Sequence, residues 1–250
     1  MAQSTQNTPK IESEGVNRMF AGIATRYDKA NRFLSMGIDV YWRARTVNRV
    51  RQCEPNQVID LATGSGDIAL ALRKKLPLKT SVVGMDFCEE MLDEARKKAT
   101  GIEEISFRTG DCLKLPVEDE STDVCTIGFG LRNLEDRDAG LREMLRILRP
   151  GGSLFILEFS QPYAVLKPFY YFYLNRILPR IASWITGDKD AYQYLGGTIG
   201  AFPNRDELSA QIHEAGFAKV VSTPLTGGIV ALHQAWKTES SLPSKDTNAR

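Results

Sequence analysis

The sequence predicts an α/β domain: a mostly parallel seven-stranded sheet with helices on both faces and an antiparallel hairpin at its C-terminal end. Three observations predict it. Short apolar runs alternate with amphipathic helical stretches from residue 58 to residue 159, the pattern of repeated βα units. The first run, Val58-Ile-Asp-Leu-Ala, is closed by a glycine turn, Thr63-Gly-Ser-Gly66, that opens directly into a helix. The last two apolar runs, 217–224 and 228–237, are joined through Leu225-Thr-Gly-Gly228, too short for a crossover and therefore a hairpin.

Composition sets the bounds. The chain has 250 residues, 42% hydrophobic and 25% charged, enough for one sizeable core. A net charge of +1 supplies no electrostatic footprint for nucleic acid. Cys53, Cys88, Cys112 and Cys125 are dispersed, with neither disulfide nor metal spacing, and read as reduced thiols of a cytoplasmic protein. With His213 and His233 the only histidines, no metal is expected. Residues 1–15 and 238–250 read as disordered polar tails around a single domain of 16–237, and no run is long and apolar enough to span a bilayer.

Within that domain each element has its own signal. Residues 16–51 read as a helical cap: Phe20, Ile23, Tyr27, Ala30 and Leu34 share one face, Gly37 makes a turn, and Trp42-Arg43 begins a second helix. Val58–Leu61 is the first strand, followed by a helix over 68–76 that Pro77 closes. The second strand, 81–85, ends at Asp86, and Met91, Leu92 and Ala95 stripe a helix over 89–99. The third, 105–108, runs into Gly110-Asp111-Cys112, and the fourth, 124–129, into Arg132-Asn133. A helix from Arg137 to Leu148 is stopped by Arg149-Pro-Gly-Gly152 before a fifth strand, 153–159. Residues 161–200 break the alternation with an aromatic helical insertion containing Tyr163, Phe169 to Tyr173 and Trp184, interspersed with Lys167, Arg176 and Arg180. It reads either as ordinary core or as a lid over a greasy substrate, with 161–186 touching a membrane surface where Tyr and Trp are favoured. Asn204 then caps a helix over 205–215, Gly216 ends it, and the hairpin closes the sheet. His213 reads as a surface residue and His233 as packed or exposed rather than catalytic.

In open parallel sheets ligands bind beyond the carboxyl ends of the strands. Asp60 to Gly66, Asp86, Asp111-Cys112 and Gly128 to Asn133 all fall there, so four separate stretches converge on one crevice. Gly64-Ser-Gly-Asp-Ile-Ala69, with Asp86 downstream, also satisfies the loose dinucleotide fingerprint, so a dinucleotide-dependent oxidoreductase is an alternative. Asp60 and Asp67 weigh against it. A pyrophosphate beside them would cost roughly 1 kcal/mol per like-charge pair at about 4 Å in water, and about 4 at an effective dielectric of 20. S-adenosylmethionine reverses that sign: it brings a sulfonium and an ammonium, and its ribose hydroxyls suit Asp86 as acceptor. The plainer alternative is that both acids are only turn and helix-start residues. The cofactor-binding set is therefore Asp60, Gly64, Ser65, Gly66, Asp86, Asp111, Cys112 and Gly128.

The assembled pattern resembles the class I methyltransferases, and more narrowly the menaquinone and ubiquinone biosynthesis C-methyltransferases. The matching stretches are Arg26-Tyr-Asp-Lys-Ala-Asn31, Ser35-Met-Gly37, Trp42-Arg43, Asp60-Leu-Ala-Thr-Gly-Ser-Gly-Asp67, Phe129-Gly-Leu-Arg-Asn133, Leu148-Arg-Pro-Gly-Gly152, Leu157-Glu-Phe-Ser160 and Leu225-Thr-Gly-Gly-Ile-Val-Ala-Leu-His233. The glycine turn and the Arg-Pro-Gly-Gly stop are widespread among methyltransferases, whereas Phe-Gly-x-Arg-Asn with Tyr-Asp and Trp-Arg is much more restricted. The resemblance implies a Rossmann-like fold and C-methylation of a prenylated quinol, demethylmenaquinol to menaquinol, with the benzoquinol of ubiquinone biosynthesis as alternative. In place of the family's Ala-Gly-Gly-Thr-Gly-Asp this chain has Ala62-Thr-Gly-Ser-Gly-Asp67: Ser65 keeps the hydroxyl, and Thr63 requires an ordinary backbone conformation where the family has glycine.

A quinol carbon becomes nucleophilic as a ring hydroxyl loses or shares its proton, which a base or a fixed cation promotes. Arg132, always charged and just beyond a strand end, is the candidate to stabilise the phenolate, with Asn133 orienting the ring oxygen or a water and Tyr27 completing the polar wall. The plainer alternative for Arg132 is an ion pair with Glu135 or Asp136. A lipid quinol further suggests peripheral contact with the inner face of the membrane. Oligomeric state stays open, a homodimer included.

Overall fold

The computed structural model describes residues 15, 21–22, 28, 31–177 and 197–239. Tyr27, Arg180, Trp184 and nearly all of the two expected tails lie outside the described residues.

The βα alternation of the sequence becomes a seven-stranded sheet in the order β3-β2-β1-β4-β5-β7-β6. Its elements are α1 (Ile38–Arg51), β1 (Gln57–Leu61), α2 (Asp67–Lys75), β2 (Ser81–Asp86), α3 (Glu89–Lys98), β3 (Ile105–Thr109) and β4 (Thr122–Gly128). They continue with α4 (Arg137–Ile147), β5 (Leu148–Phe159), α5 (Lys167–Phe172), α6 (Arg205–Glu214), β6 (Lys219–Leu225) and β7 (Val230–Trp236). β1 to β5 pair in parallel, and β7 runs antiparallel to both β5 and β6. β7 alone is therefore reversed; the hairpin inserts it beside β5 and leaves β6 at the edge, parallel to the rest.

Alternation along the buried strands sends successive side chains to two helical layers. Ile59, Leu61, Ile127 and Ile156 pack with Leu141 and Met144 of α4 and Leu208 and Ile212 of α6. Val58, Val82, Val124 and Phe155 pack on the other face with Val47 and Val50 of α1, Leu72 of α2 and Leu92 of α3. Asp60 shares the second face with Val58, an acid in a mostly apolar layer where its neighbour Thr126 is also buried.

Two boundaries differ from the sequence expectation. α1 starts at Ile38 rather than Trp42, because Gly37 (φ 76°) reverses the chain and Asp39 anchors the first turn. Asp39 accepts from the Ser35 hydroxyl at 2.7 Å and pairs with Arg43 at 2.5 Å. The Arg149-Pro-Gly-Gly152 signal does end α4, yet the chain enters β5 at once: Leu148 pairs with Thr122 and the register shifts before Val124 meets Ser153. Pro150 is tolerated there because it sits at the irregular start of the strand, where Gly151 adopts φ +75°. Among the described residues no helix is long and apolar enough to cross a membrane.

Candidate active site

Because β1, β2 and β4 are parallel and in register, Leu61 lies beside Met85 and Ile127, and their carboxyl ends open on one edge. The backbone at that edge is unusual. Ala62 (φ 46°) and Phe129 (φ 58°) both adopt left-handed conformations that L-residues avoid. The two strand exits approach so closely that a Cβ on Gly130 would fall 2.5 Å from that of Ala62. Glycine at 130 is required by this approach, and Ala62, Gly64, Gly128 and Phe129 become a wall shared by two cavities.

The smaller cavity, about 220 Å³, is lined by Asp86, Asp111 and Glu135 with Phe87, Met91, Leu113 and Leu134. Asp86 closes β2, and its carboxylate accepts from the Gly64 N–H at 2.8 Å and the Cys88 N–H at 3.0 Å. Burial raises its pKa, against which those N–H groups act. Asp111 is exposed, accepting from the Leu113 N–H at 2.9 Å, while Cys112 is buried and its thiol is pushed up to about 12 by that burial. Asn133, in the single turn Leu131–Asn133, also lines this cavity.

The larger cavity, about 420 Å³, begins at Asp60, Thr63, Gly64 and Ser65 and runs between Leu34–Trp42 and the aromatic insertion. Asp60 is 1% exposed and accepts from the Thr126 and Thr63 hydroxyls, each at 2.6 Å. Burial pushes its pKa up to about 6 despite those bonds. Thr63 holds an ordinary backbone conformation, as its side chain requires, and Gly64 and Gly66 take the positive φ values. The Ser65 hydroxyl donates to Asp28, which also pairs with Lys98, so one residue of the N-terminal segment is tied to the glycine turn. Trp42, Phe129 and Phe159 stack in a cluster with centroids 5.0–6.4 Å apart, and the Trp42 indole N–H donates to Thr226 at 2.7 Å.

Arg132 is buried against this aromatic cluster, its guanidinium 5.2 Å from the Phe159 centroid. Its partner is Glu158 of β5, at 2.8 Å, and it also donates to the Phe129 carbonyl. The anticipated partners play other parts: Asp136 caps α4 by accepting from Ala139 at 2.8 Å, and Glu135 lines the smaller cavity. Arg132 and Asn133, neighbours in sequence, thus line different cavities.

Asp67 does not play the part its position in the sequence suggests. Asp67 is neutralised by Arg43 at 2.8 Å and Lys98 at 3.1 Å, so its charge does not discriminate between cofactors. Asp60 and Asp86 carry that argument instead. Among the described residues no Lys, Arg or His lines the smaller cavity. Its acids and apolar walls fit a ligand with hydroxyls, a flat apolar body and positive charge, and disfavour a pyrophosphate.

Residues 8–237 match the ubiE/COQ5 methyltransferase family. The chain belongs to that family. It is 40% identical over 230 residues to the ubiquinone/menaquinone biosynthesis C-methyltransferase UbiE of Geobacter sp. (strain M21), covering 90% of this chain and 97% of that one. It is 39% identical over 237 residues to the demethylmenaquinone methyltransferase of Deinococcus radiodurans, covering 92% and 97%. A SAM-dependent methyltransferase from Thermotoga maritima shares the fold, with a TM-score of 0.62 at 18% identity over 88% of this chain and 99% of that one. This methyltransferase is an S-adenosyl-L-methionine-dependent enzyme of quinone biosynthesis.

Glu158 is the site residue that sequence reasoning passed over. Its signal was available: a lone carboxylate inside the apolar run Leu154-Phe-Ile-Leu-Glu-Phe159, which a buried strand tolerates only with a partner. His213 lies exposed near Phe217, and His233 is buried with Nε2 3.0 Å from the Arg205 carbonyl, away from both cavities.

Proposed function

We propose that this methyltransferase methylates a ring carbon of demethylmenaquinol, with the larger cavity receiving the quinol and the smaller one the adenosyl end of the cofactor. The observation that carries this reading is an aromatic-lined cavity of about 420 Å³ with the buried Arg132 in its wall, joined to an acidic cavity through Ala62, Gly64, Gly128 and Phe129. S-adenosylmethionine supplies a methyl group on a sulfonium centre. Asp60 and Asp86 present carboxylate oxygens to the cationic and hydroxyl groups, and the Gly64–Gly66 turn lets the backbone approach closely. Asp111, Cys112 and Asn133 line the cofactor side, and Ser65, tied to Asp28, stands where the larger cavity begins. The Arg132 guanidinium, held by Glu158, stabilises negative charge on a ring oxygen, which makes the neighbouring ring carbon nucleophilic. Trp42, Phe129 and Phe159 flank the ring and exclude water.

The prenyl tail leaves through the mouth of the larger cavity. Met36 (77% exposed) and Phe169 (74%) both line the cavity and face outward, and Phe172 (61%) extends the apolar surface. These groups favour a lipid surface over water, so the protein works as a peripheral protein on the cytoplasmic face of a membrane. A paired assay with demethylmenaquinol and its benzoquinol counterpart tests the substrate. Faster methylation of the naphthoquinol is expected, and a strong preference for the benzoquinol overturns the assignment.

A further inference from the structure

Two polar groups in the larger cavity have no hydrogen-bond partner although their atoms are buried: the Arg132 Nε–H and the Tyr170 hydroxyl. The contrast within the aromatic run is sharp. Tyr171 donates to Gln161 at 2.6 Å and Tyr173 donates to the Leu34 carbonyl at 2.7 Å. Tyr170, between the cavity and Tyr171, spends its hydroxyl on neither backbone nor side chain. Buried donors without partners are uncommon, because each forfeits its hydration with nothing in return. Both belong to residues in the wall of one largely apolar cavity, and the Arg132 charge acts on the Tyr170 hydroxyl.

We propose that Tyr170 and the Arg132 Nε–H together hold one oxygen of the acceptor ring, making Tyr170 a substrate-contact residue of the methyl transfer. The inference rests on the quinol reading above. Arg132 has committed one end of its guanidinium to Glu158 and the Phe129 carbonyl, which leaves Nε free to donate. Four charged or titratable groups act on the Tyr170 hydroxyl: Tyr171 and Tyr173 from its own stretch, Arg132 from the turn after β4, and Glu158 from β5. Burial is the largest influence and raises its pKa, so the hydroxyl stays protonated and able to donate. A neutral donor and a fixed cation converging on one oxygen favour its ionised form over the neutral one.

The test compares Tyr170→Phe with Tyr171→Phe, using demethylmenaquinol with one prenyl unit, kept reduced under anaerobic conditions. For Tyr170→Phe, kcat/KM for the quinol falls about tenfold to a hundredfold, somewhat less than for loss of a full oxyanion-hole donor. Its Kd for S-adenosylhomocysteine by calorimetry stays within about twofold, and its Tm is unchanged or higher, since the substitution deletes an unpartnered buried hydroxyl. Tyr171→Phe shows the reverse pattern, a lower Tm with quinol kinetics near wild type. If the wild type methylates the quinol and Tyr170→Phe does so equally well, the hydroxyl makes no contact with the substrate and the inference fails alone. If Tyr170→Phe lowers Tm as much as Tyr171→Phe, the hydroxyl has a structural partner and the inference also fails. If the wild type methylates neither quinol class, the functional reading falls and takes this inference with it.

Discussion

The two cavities meet at one wall and are built on opposite plans. The smaller cavity, proposed for the cofactor, draws on strand exits and the turns that follow them: Ala62 and Gly64, Asp86 to Met91, Asp111 to Leu113, and Gly128 to Glu135. Each is a short contiguous stretch, and its polar groups are fixed by neighbours, as the Gly64 N–H is by Asp86 at 2.8 Å. The larger cavity, proposed for the quinol, shares that edge through residues 60–68 and 128–132 and adds 31–43, 159–174, 199 and 226–229, which only the packing of distant segments brings to it. Its polarity lies at two places, the glycine-turn end with Asp60, Thr63 and Ser65, and the buried Arg132–Glu158 pair set against aromatic rings. The smaller cavity is thus built from strand ends and the turns after them, while the larger one adds segments that only long-range packing brings to the same edge.

The largest expected effects fall on that ion pair. Glu158→Ala leaves Arg132 buried without its carboxylate and costs about 3–5 kcal/mol of stability, measured by urea unfolding. A loss under about 1 kcal/mol would mean that the quinol side is not held by this pair. Arg132→Ala separates the two sides functionally: kcat falls about 10²- to 10³-fold while the Kd for S-adenosylhomocysteine changes by less than about threefold. Equal losses in both would move Arg132 to the cofactor side and remove the contrast.

Asp60 gives the next effect, and its sign is opposite for stability and for binding. Burial raises its folded pKa to about 6 from an ordinary 3.8, so folding favours the protonated form. The stability this lends is full below about pH 4 and is lost as pH rises through about 6, a change on the order of 3 kcal/mol. Asp60→Asn removes that dependence. The variant unfolds at a higher Tm than wild type at pH 7.5 in the absence of cofactor, and the two converge near pH 4. Its affinity for S-adenosylhomocysteine drops about tenfold, because a cationic ammonium loses a buried carboxylate. A variant that is less stable than wild type at pH 7.5 would show that the two threonine hydroxyls outweigh desolvation.

The same division explains what the sequence revealed. The βα alternation, the glycine turn and the acids at strand ends were readable because each signal is local and each strand exit points to the same edge. Asp67 misled because its neutralising partners, Arg43 and Lys98, lie 24 and 31 residues away and nothing local announces them. Arg132 was readable as a charge past a strand end, but its pairing with Glu158 depends on β5 lying beside β4, which the sequence does not register. Tyr170 had no distinguishing mark among the neighbouring tyrosines; only the packing shows which of the three hydroxyls lacks a partner. The left-handed conformations of Ala62 and Phe129 also carried no sequence signal, since neither residue favours them.

The smallest effect tests the contrast most finely, with one glycine from the wall shared by both cavities and one from a turn beside the larger cavity alone. Gly64 (φ +54°) belongs to the cofactor turn and Gly37 (φ +76°) to the turn before α1. Alanine at either position must hold a left-handed backbone, at a cost of about 1–2 kcal/mol. Space differs only a little: the added Cβ at 64 meets the buried Met91 methyl at 3.1 Å, which must give by a few tenths of an ångström, and at 37 it meets only Arg32 at 4.0 Å. Gly64→Ala and Gly37→Ala should therefore lower Tm by similar amounts. They should part in binding. A shifted residue 64 loosens its N–H from Asp86, so Gly64→Ala weakens S-adenosylhomocysteine binding several-fold, by more than it raises the quinol KM. Gly37→Ala displaces Met36 and Ile38, which line the larger cavity, and raises the quinol KM with cofactor affinity intact. If both variants moved both constants together, the two cavities would form one cooperative unit, and their shared wall would matter more than their separate construction.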